Sequence, residues 1–334
     1  STISGISDKL LASVDEPKLI AFIQNSLQVG HVTSLEQFVS DFESHRLVQL
    51  VTRLDSLHID VDLDRMATVK AAAVFTQSPS CPKPLVFKVL VTVFGASQAT
   101  EMSMDTVRVL FECLCRLLDV GDNTGKVYQK RCLEIYAYLL TASKDRNVRL
   151  MLIEGVERVM GRVGDQFCQS TIYPFLTTSL TDTANATIRD AALRTLISMA
   201  TQSRLQTSTV SGDLLRHLAR LQDDPQAGIR ANLLIGLGKL DPILPEDVRS
   251  KVIGPAYCRG LTDPFGPSKV AALTGLIESG KSCSRQEIAT RLLPHICPLL
   301  VDENVEIAGR AVAVVELFMN TIKEHTKPWV SPVV

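Results

Sequence analysis

The sequence predicts an all-α fold, a solenoid of stacked helix pairs, on three observations. An acidic turn followed by an aliphatic–basic helix start recurs about every 40 residues. Between these turns the apolar residues keep helical rather than alternating spacing. Prolines gather at the edges of the apolar stretches, where a missing N–H costs nothing in the first turn of a helix.

The repeat comes first, because a missed period misreads the whole fold. Leu180-Thr181-Asp182 precedes Ile188-Arg189-Asp190-Ala191-Ala192-Leu193, and Leu221-Gln222-Asp223 precedes Ile229-Arg230-Ala231-Asn232-Leu233. The pattern returns as Leu261-Thr262-Asp263 with Lys269-Val270-Ala271-Ala272-Leu273, then as Leu300-Val301-Asp302 with Ile307-Ala308-Gly309-Arg310-Ala311. Asp182, Asp223, Asp263 and Asp302 stand 41, 40 and 39 residues apart, and Asp145 with Arg149 extends the series upstream. That period belongs to HEAT- and armadillo-like arrays of two or three helices per unit. Within one unit, Ile188, Ala192, Leu196 and Met199 form a single helical stripe, which leaves Arg189, Asp190 and Arg194 to face solvent or a neighbouring repeat. Pro174, Pro225, Pro242, Pro245, Pro255, Pro264, Pro267, Pro294 and Pro298 read as helix starts or stops, several of them early in the first helix of a pair.

These observations divide the chain into divergent helical repeats over 1–110, regular repeats over 111–325 and an extended tail over 326–334. In the first segment Thr33-Ser34-Leu35-Glu36 has the form of a capping box, residues 66–75 read as an alanine-rich helix, and residues 78–84 with three prolines read as a loop. Residues 85–94 are valine-rich and favour a strand by propensity. A lone strand in a helical array has no partner for its backbone groups, so a helix is expected there. The tail carries Lys327-Pro328-Trp329-Val330, a segment able to dock on a partner.

Composition narrows the function. Of 334 residues 46% are hydrophobic and 21% charged, with a net charge of −1, so no long-range field draws in nucleic acid or an anionic membrane. No apolar run reaches the roughly 20 residues that a spanning helix needs. The eight cysteines show no CxxC pairing and fall mostly in apolar helical stretches, as expected of a reducing, cytoplasmic setting. The chain opens at Ser1 without a signal-like segment, which fits a fragment of a longer protein. No nucleophile elbow, P-loop, HExxH or dinucleotide fingerprint is present, and no catalytic residue, metal ligand or cofactor is expected. His31, His45, His58, His217, His295 and His325 are scattered; His217 and His295 read as hydrogen-bonded helix residues. Asp263-Pro264-Phe265-Gly266 resembles a kinase metal-binding tripeptide but carries an inserted proline, and a turn between helices accounts for it better. Tyr128, Tyr136, Tyr138, Tyr173, Tyr257 and Trp329 are too sparse for a base-stacking platform.

What remains is a surface. The basic series Arg149, Arg189, Arg230 and Lys269 reads either as a binding stripe or as a structural ladder. The second reading is preferred, because each cation travels with an acidic turn: Asp145, Asp182, Asp223, Asp263 or Asp302. The candidates for a partner-binding groove are Arg194, Asn232 and Lys239, on the second helices of the pairs.

His217-Leu218-Ala219-Arg220-Leu221-Gln222, Gly228-Ile229-Arg230-Ala231-Asn232 and Leu237-Gly238-Lys239 resemble the HEAT region of the Scy-one-like pseudokinases. So do the run from Arg259-Gly260-Leu261-Thr262-Asp263-Pro264-Phe265-Gly266-Pro267-Ser268-Lys269-Val270 and the later Leu293-Pro294-His295-Ile296-Cys297-Pro298-Leu299-Leu300-Val301-Asp302. The resemblance spans about Val127 to Lys323 and is looser over Leu19 to Phe42. It implies a catalytically dead kinase-like domain before Ser1. It also implies a scaffold role in vesicle traffic, with coatomer or clathrin coats as partners and a cytoplasmic site at Golgi and endoplasmic-reticulum–Golgi membranes. Fungal relatives add transfer RNA export, which the near-neutral charge disfavours here, and a transport receptor or phosphatase subunit would share the same period. Two departures stand out: Ala308 replaces the basic residue of the last repeat, and the chain ends at Val334 without the long tail by which some members engage coats.

Overall fold

A computed structural model describes residues 104–118, 125–142, 145–279 and 283–324 of this chain. The capping box at Thr33, the stretches 66–75, 78–84 and 85–94, and the tail with Trp329 lie outside the described residues. Among the described residues all regular structure is helical. The chain divides into two compact units, Ser1–Arg162 and Val163–Val334.

In the first unit α1 (Met104–Leu118) packs against α2 (Gly125–Ala142) and α3 (Arg146–Met160). The rings of Phe111 and Tyr136 meet at 5.8 Å between centroids, and Phe111 lies so close to Gly155 on α3 that a methyl group there has no room. Asp145 starts α3 by accepting from the Asn147 and Val148 amides at 2.8 and 3.0 Å, two of the donors that a helix start leaves open.

The described residues of the second unit form four helix pairs. Their first helices are α4 (residues 165–179), α6 (207–220), α8 (Glu246–Leu261) and α10 (285–296). Their second helices are α5 (Ala186–Thr201), α7 (Ala227–Leu240), α9 (Gly266–Ser279) and α11 (Val305–Lys323). Successive second helices pack directly on one another, α5 on α7, α7 on α9 and α9 on α11. The stripe read from the sequence is what they bury: Ile188, Ala192, Leu196 and Met199 are all 0% exposed. Each large aliphatic side chain removed from water in this way contributes about 1.5–3 kcal/mol. Close approach depends on small residues: Gly236 on α7 receives the side chain of Ile197 from α5, and Gly275 on α9 receives Tyr257 from α8.

Three of the four first helices are interrupted at one place. In α4, α6 and α10 a single π turn occupies Cys168–Ile172, Val210–Leu214 and Ile288–Leu292. Pro174 and Pro294 each follow such a turn by two residues. A proline ring collides with the carbonyl four residues back, and a wider turn moves that carbonyl aside. Pro255 occupies the equivalent place but sits inside the uninterrupted α8, not at a helix end as its sequence context indicates. Its cost of about 3 kcal/mol is outweighed, because ending α8 there would expose Ala256, Tyr257, Cys258 and Leu261, all buried.

Candidate partner-binding surface

The turns between first and second helices fix how one pair sits on the next. Arg189, in the first turn of α5, is 6% exposed. Its Nη1 donates to the carbonyl of Asp182 in its own turn at 2.8 Å. Its Nε and Nη2 reach forward to Asp224 of the next turn at 2.8 and 2.9 Å, a two-bond fork on one carboxylate. Arg230 repeats the arrangement, with Nη1 on the Asp224 carbonyl at 2.8 Å and Nε and Nη2 on Asp263 at 2.7 and 2.9 Å. Lys269 makes a single bond to Asp302, at 2.9 Å. Each carboxylate also closes its own turn. Asp182 accepts from the amides of Ala184 and Asn185, Asp224 from Gln226, Asp263 from Phe265 and Asp302 from Asn304. Asp224, Asp263 and Asp302 therefore each shape a turn and anchor the preceding repeat.

The electrostatics follow this geometry. The bond from Arg230 holds the Asp263 carboxyl below the usual carboxylate range, and the bond from Lys269 does the same for Asp302. Asp224 raises the Arg189 guanidinium and Asp263 that of Arg230, through the same bonds.

At one rung the sequence reading is a residue out of register. Asp224 is 95% buried and takes the rung; Asp223 projects into solvent, 3.9 Å from Arg259. The signal for the correct residue was present, since Asp224-Pro225 matches Asp263-Pro264 in placing proline immediately after the rung acid. In the first unit Asp145 is the cap of α3, and Arg149 lies half-buried one turn further on. At the last repeat Ala308 offers no forward contact, while Arg310 bonds Glu306 at 3.0 Å and Thr274 of α9 at 3.0 Å.

Behind this ladder the second helices present their outer sides. Arg194 of α5 is exposed and pairs with Asp190 at 2.6 Å. Asn232 of α7 donates to the same Asp190 at 2.7 Å, so one carboxylate joins two of the three groove candidates across neighbouring helices. Lys239 lies about two turns beyond Asn232, exposed at the rim of a groove of about 650 Å³ between α7 and α9. The groove walls include Ile235, Val270, Thr274 and Glu278, and Gly238 and Gly275, which carry no side chains, leave space along its floor. Ile235 and Thr274 were not singled out by sequence, although Arg194, Ile235 and Thr274 each fall five residues after a ladder cation, and Asp190 was read only as facing solvent or a neighbouring repeat.

The isolated features resolve as ordinary structure. His295 Nδ1 lies 2.7 Å from the Arg291 carbonyl, and His217 lies 3.6 Å from Asp213. Asp263 to Gly266 forms the turn leading into α9. Among the described residues no group of three or more His, Cys, Asp or Glu could hold a metal ion, and no helix is long and apolar enough to cross a membrane.

No family model matches the chain. A probable inactive serine/threonine-protein kinase, scy1, of Dictyostelium discoideum is 27% identical over 213 residues, 64% of this chain and 26% of that protein. The protein kinase domain-containing protein ppk3 of Schizosaccharomyces pombe is 26% identical over 284 residues, 84% of this chain and 42% of its own length. Cytoplasmic export protein 1 of Saccharomyces cerevisiae is 31% identical over 249 residues, 72% of this chain and 32% of that protein. The chain thus spans between about a quarter and two-fifths of the curated relatives it matches. The crystal structure of Cex1p superposes with a TM-score of 0.62 at 21% identity, over 96% of this chain and 56% of that one, which establishes the shared solenoid fold.

Proposed function

Because this chain belongs to the Scy1-like family, of which it supplies a helical-repeat region, we propose that it works as a non-catalytic adaptor that holds a protein partner along its second helices. The observation that carries the proposal is one register of those helices: Arg194 and Ile235, both exposed, and the half-buried Thr274 recur beside a largely buried ladder that joins successive pairs. A rigid array that contacts only its neighbours displays such a surface without reorganising to bind. An amphipathic helix or a linear motif fits the α7–α9 groove, with Ile235 and Val270 for its apolar side and Lys239 and Glu278 for its charged residues.

In this reading the partner is a coat component of vesicle traffic, and the protein acts in the cytoplasm at the periphery of Golgi membranes. An inactive kinase-like domain elsewhere in the full-length protein contributes no turnover. The family resemblance supports the coat reading, and the name of the Dictyostelium relative, a probable inactive kinase, supports the inactive kinase-like domain alone. Affinity purification of the full-length protein, wild type against the Arg194→Glu, Lys239→Glu double variant, tests it. Coat subunits retained by the wild type and lost by the variant are expected. Recovery of transfer RNA instead, with affinity falling steeply as salt is added, would replace the proposal by the RNA-export reading, and ATP hydrolysis by this chain would end it.

A further inference from the structure

Each second helix has a forward face that the following pair covers. Four residues after the ladder cation stand Leu193, Leu234 and Leu273, and seven after it Leu196, Leu237 and Leu276, all 4% exposed or less. Leu234 packs against Gly260 of the following pair, and the Cys258 thiol of α8 reaches the Arg291 carbonyl of α10 at 3.8 Å. In α11, the last second helix among the described residues, the same two positions carry Val312, 44% exposed, and the half-buried Val315. Cys297, which stands where Cys258 does one pair earlier, is exposed as well.

The uncovered face is a continuous apolar seam. Val305, Ala308, Val312, Val315, Met319 and Ile322 follow one another at alternating steps of three and four residues, the spacing by which one helix offers a row of side chains to another. Val305, Val312 and Met319 are exposed and the other three half-buried. The stripe that α11 buries, Ile307, Ala311, Val314 and Phe318, is separate from this seam. Val301, immediately before the last ladder acid, extends the row into the turn; the same place in the other turns holds Thr181, Asp223 and Thr262, so the exposed apolar residue is particular to this end. A repeat that closes an array against water carries a polar outer face, and this one carries the reverse.

We infer that the forward face of α11 binds an amphipathic helix of a partner protein, laid on the seam as α11 itself lies on α9, with aliphatic side chains toward Val312 and Met319 and a neutral residue opposite Ala308. The interface between successive pairs shows what covers such a face, and Ala308 decides which helix does. Arg189, Arg230 and Lys269 each meet an acid of the following turn. A further pair of the same kind would set its acid against Ala308, a carboxylate buried without a partner. A second copy in two-fold register would set the exposed Glu316, one turn beyond Val312, beside its own counterpart. The seam is distinct from the α7–α9 groove, and neither requires the other.

The test measures fluorescence anisotropy of two labelled peptides, each stapled because an isolated short helix is marginal in water, titrated with the 334-residue chain. One copies Val305–Lys323, the helix that covers the equivalent face of α9. The other copies Leu299–Lys323 and so adds the ladder acid Asp302. Saturable binding of the shorter peptide is expected. Val312→Glu in the chain weakens it about tenfold or more, since an aliphatic contact is replaced by a buried charge, and leaves Tm unchanged because the site is exposed. The longer peptide binds more weakly than the shorter, and Ala308→Lys in the chain reverses that order. Arg194→Glu with Lys239→Glu, which tests the adaptor surface, leaves both affinities unchanged. In the full-length protein the Val312→Cys thiol is alkylated as fast as in the 334-residue chain, and the shorter peptide slows it in both. The inference is overturned if the shorter peptide does not saturate, if Val312→Glu leaves its affinity intact, or if the longer peptide binds equally well with Ala308 in place. Slow alkylation in the full-length protein before any peptide is added would assign the face to the protein's own chain or to a second copy, and overturns it too.

Discussion

Replacing Arg189 with methionine removes the most buried rung of the ladder and nothing else of size. Three bonds disappear, two to the Asp224 carboxylate and one to the Asp182 carbonyl. The side chains of Arg189 and Asp224 are 8% and 3% exposed, so solvent cannot enter to compensate. Asp224 keeps only the Gln226 amide. Removing one member of a buried pair costs about 3–5 kcal/mol, mostly from the charge left behind, or a factor of roughly a thousand in the folding equilibrium. The exposed Arg194–Asp190 pair serves as the control, since a surface i,i+4 pair contributes about 0.3–0.5 kcal/mol. Urea unfolding followed by circular dichroism reads both. Because the lost rung joins α5 to α7, Arg189→Met should also broaden or split the transition as the pairs uncouple. Arg189→Met with Asp224→Leu should recover most of the loss by removing the stranded charge. An Arg189→Met cost within about 1 kcal/mol of Arg194→Ala would show that the ladder does not hold the repeats together.

Other outcomes follow from the same geometry. Gly275→Ala places a methyl group onto the Tyr257 ring and should cost at least about 1–3 kcal/mol, visible as a lower urea midpoint. Asp263 and Asp302 bind protons less readily folded than unfolded, so their contribution is complete above the unfolded carboxylate pKa of about 3.9 and is lost as pH falls below it. A Tm series from about pH 6 to pH 3 should fall in that window, and Asp302→Asn should flatten the fall; a slope unaffected by that substitution contradicts the assignment. Arg194→Glu with Lys239→Glu should abolish partner capture while leaving Tm within a degree or two of wild type, since both side chains face solvent.

The fold was legible because its signal is periodic. Asp182, Asp263 and Asp302 recur at a spacing set by the helix pair itself, and the stripe Ile188 to Met199 follows from 3.6 residues per turn. The ladder was legible in kind but not in register at Asp223, because two adjacent aspartates satisfy the same pattern and only the turn geometry separates them. Pro255 was misread because a local rule about proline was set against burial along α8, which only packing reveals. The binding surface was least legible: Asp190, which joins Arg194 to Asn232, and the groove beside Lys239 arise from residues roughly 40 positions apart.

The central claim is that each second helix shields the next, and one cross-link tests it directly. A Cβ built on Gly236 stands 4.0 Å from the Cβ of Ile197, inside the range of about 3.5–4.5 Å that a disulfide spans. Under mild oxidation the Ile197→Cys, Gly236→Cys variant should yield a linked peptide pair by mass mapping, and Ile197→Cys with Gly309→Cys should not. A folded protein that fails to form the first link, or forms both equally, contradicts the stacked array and the adaptor role built on it.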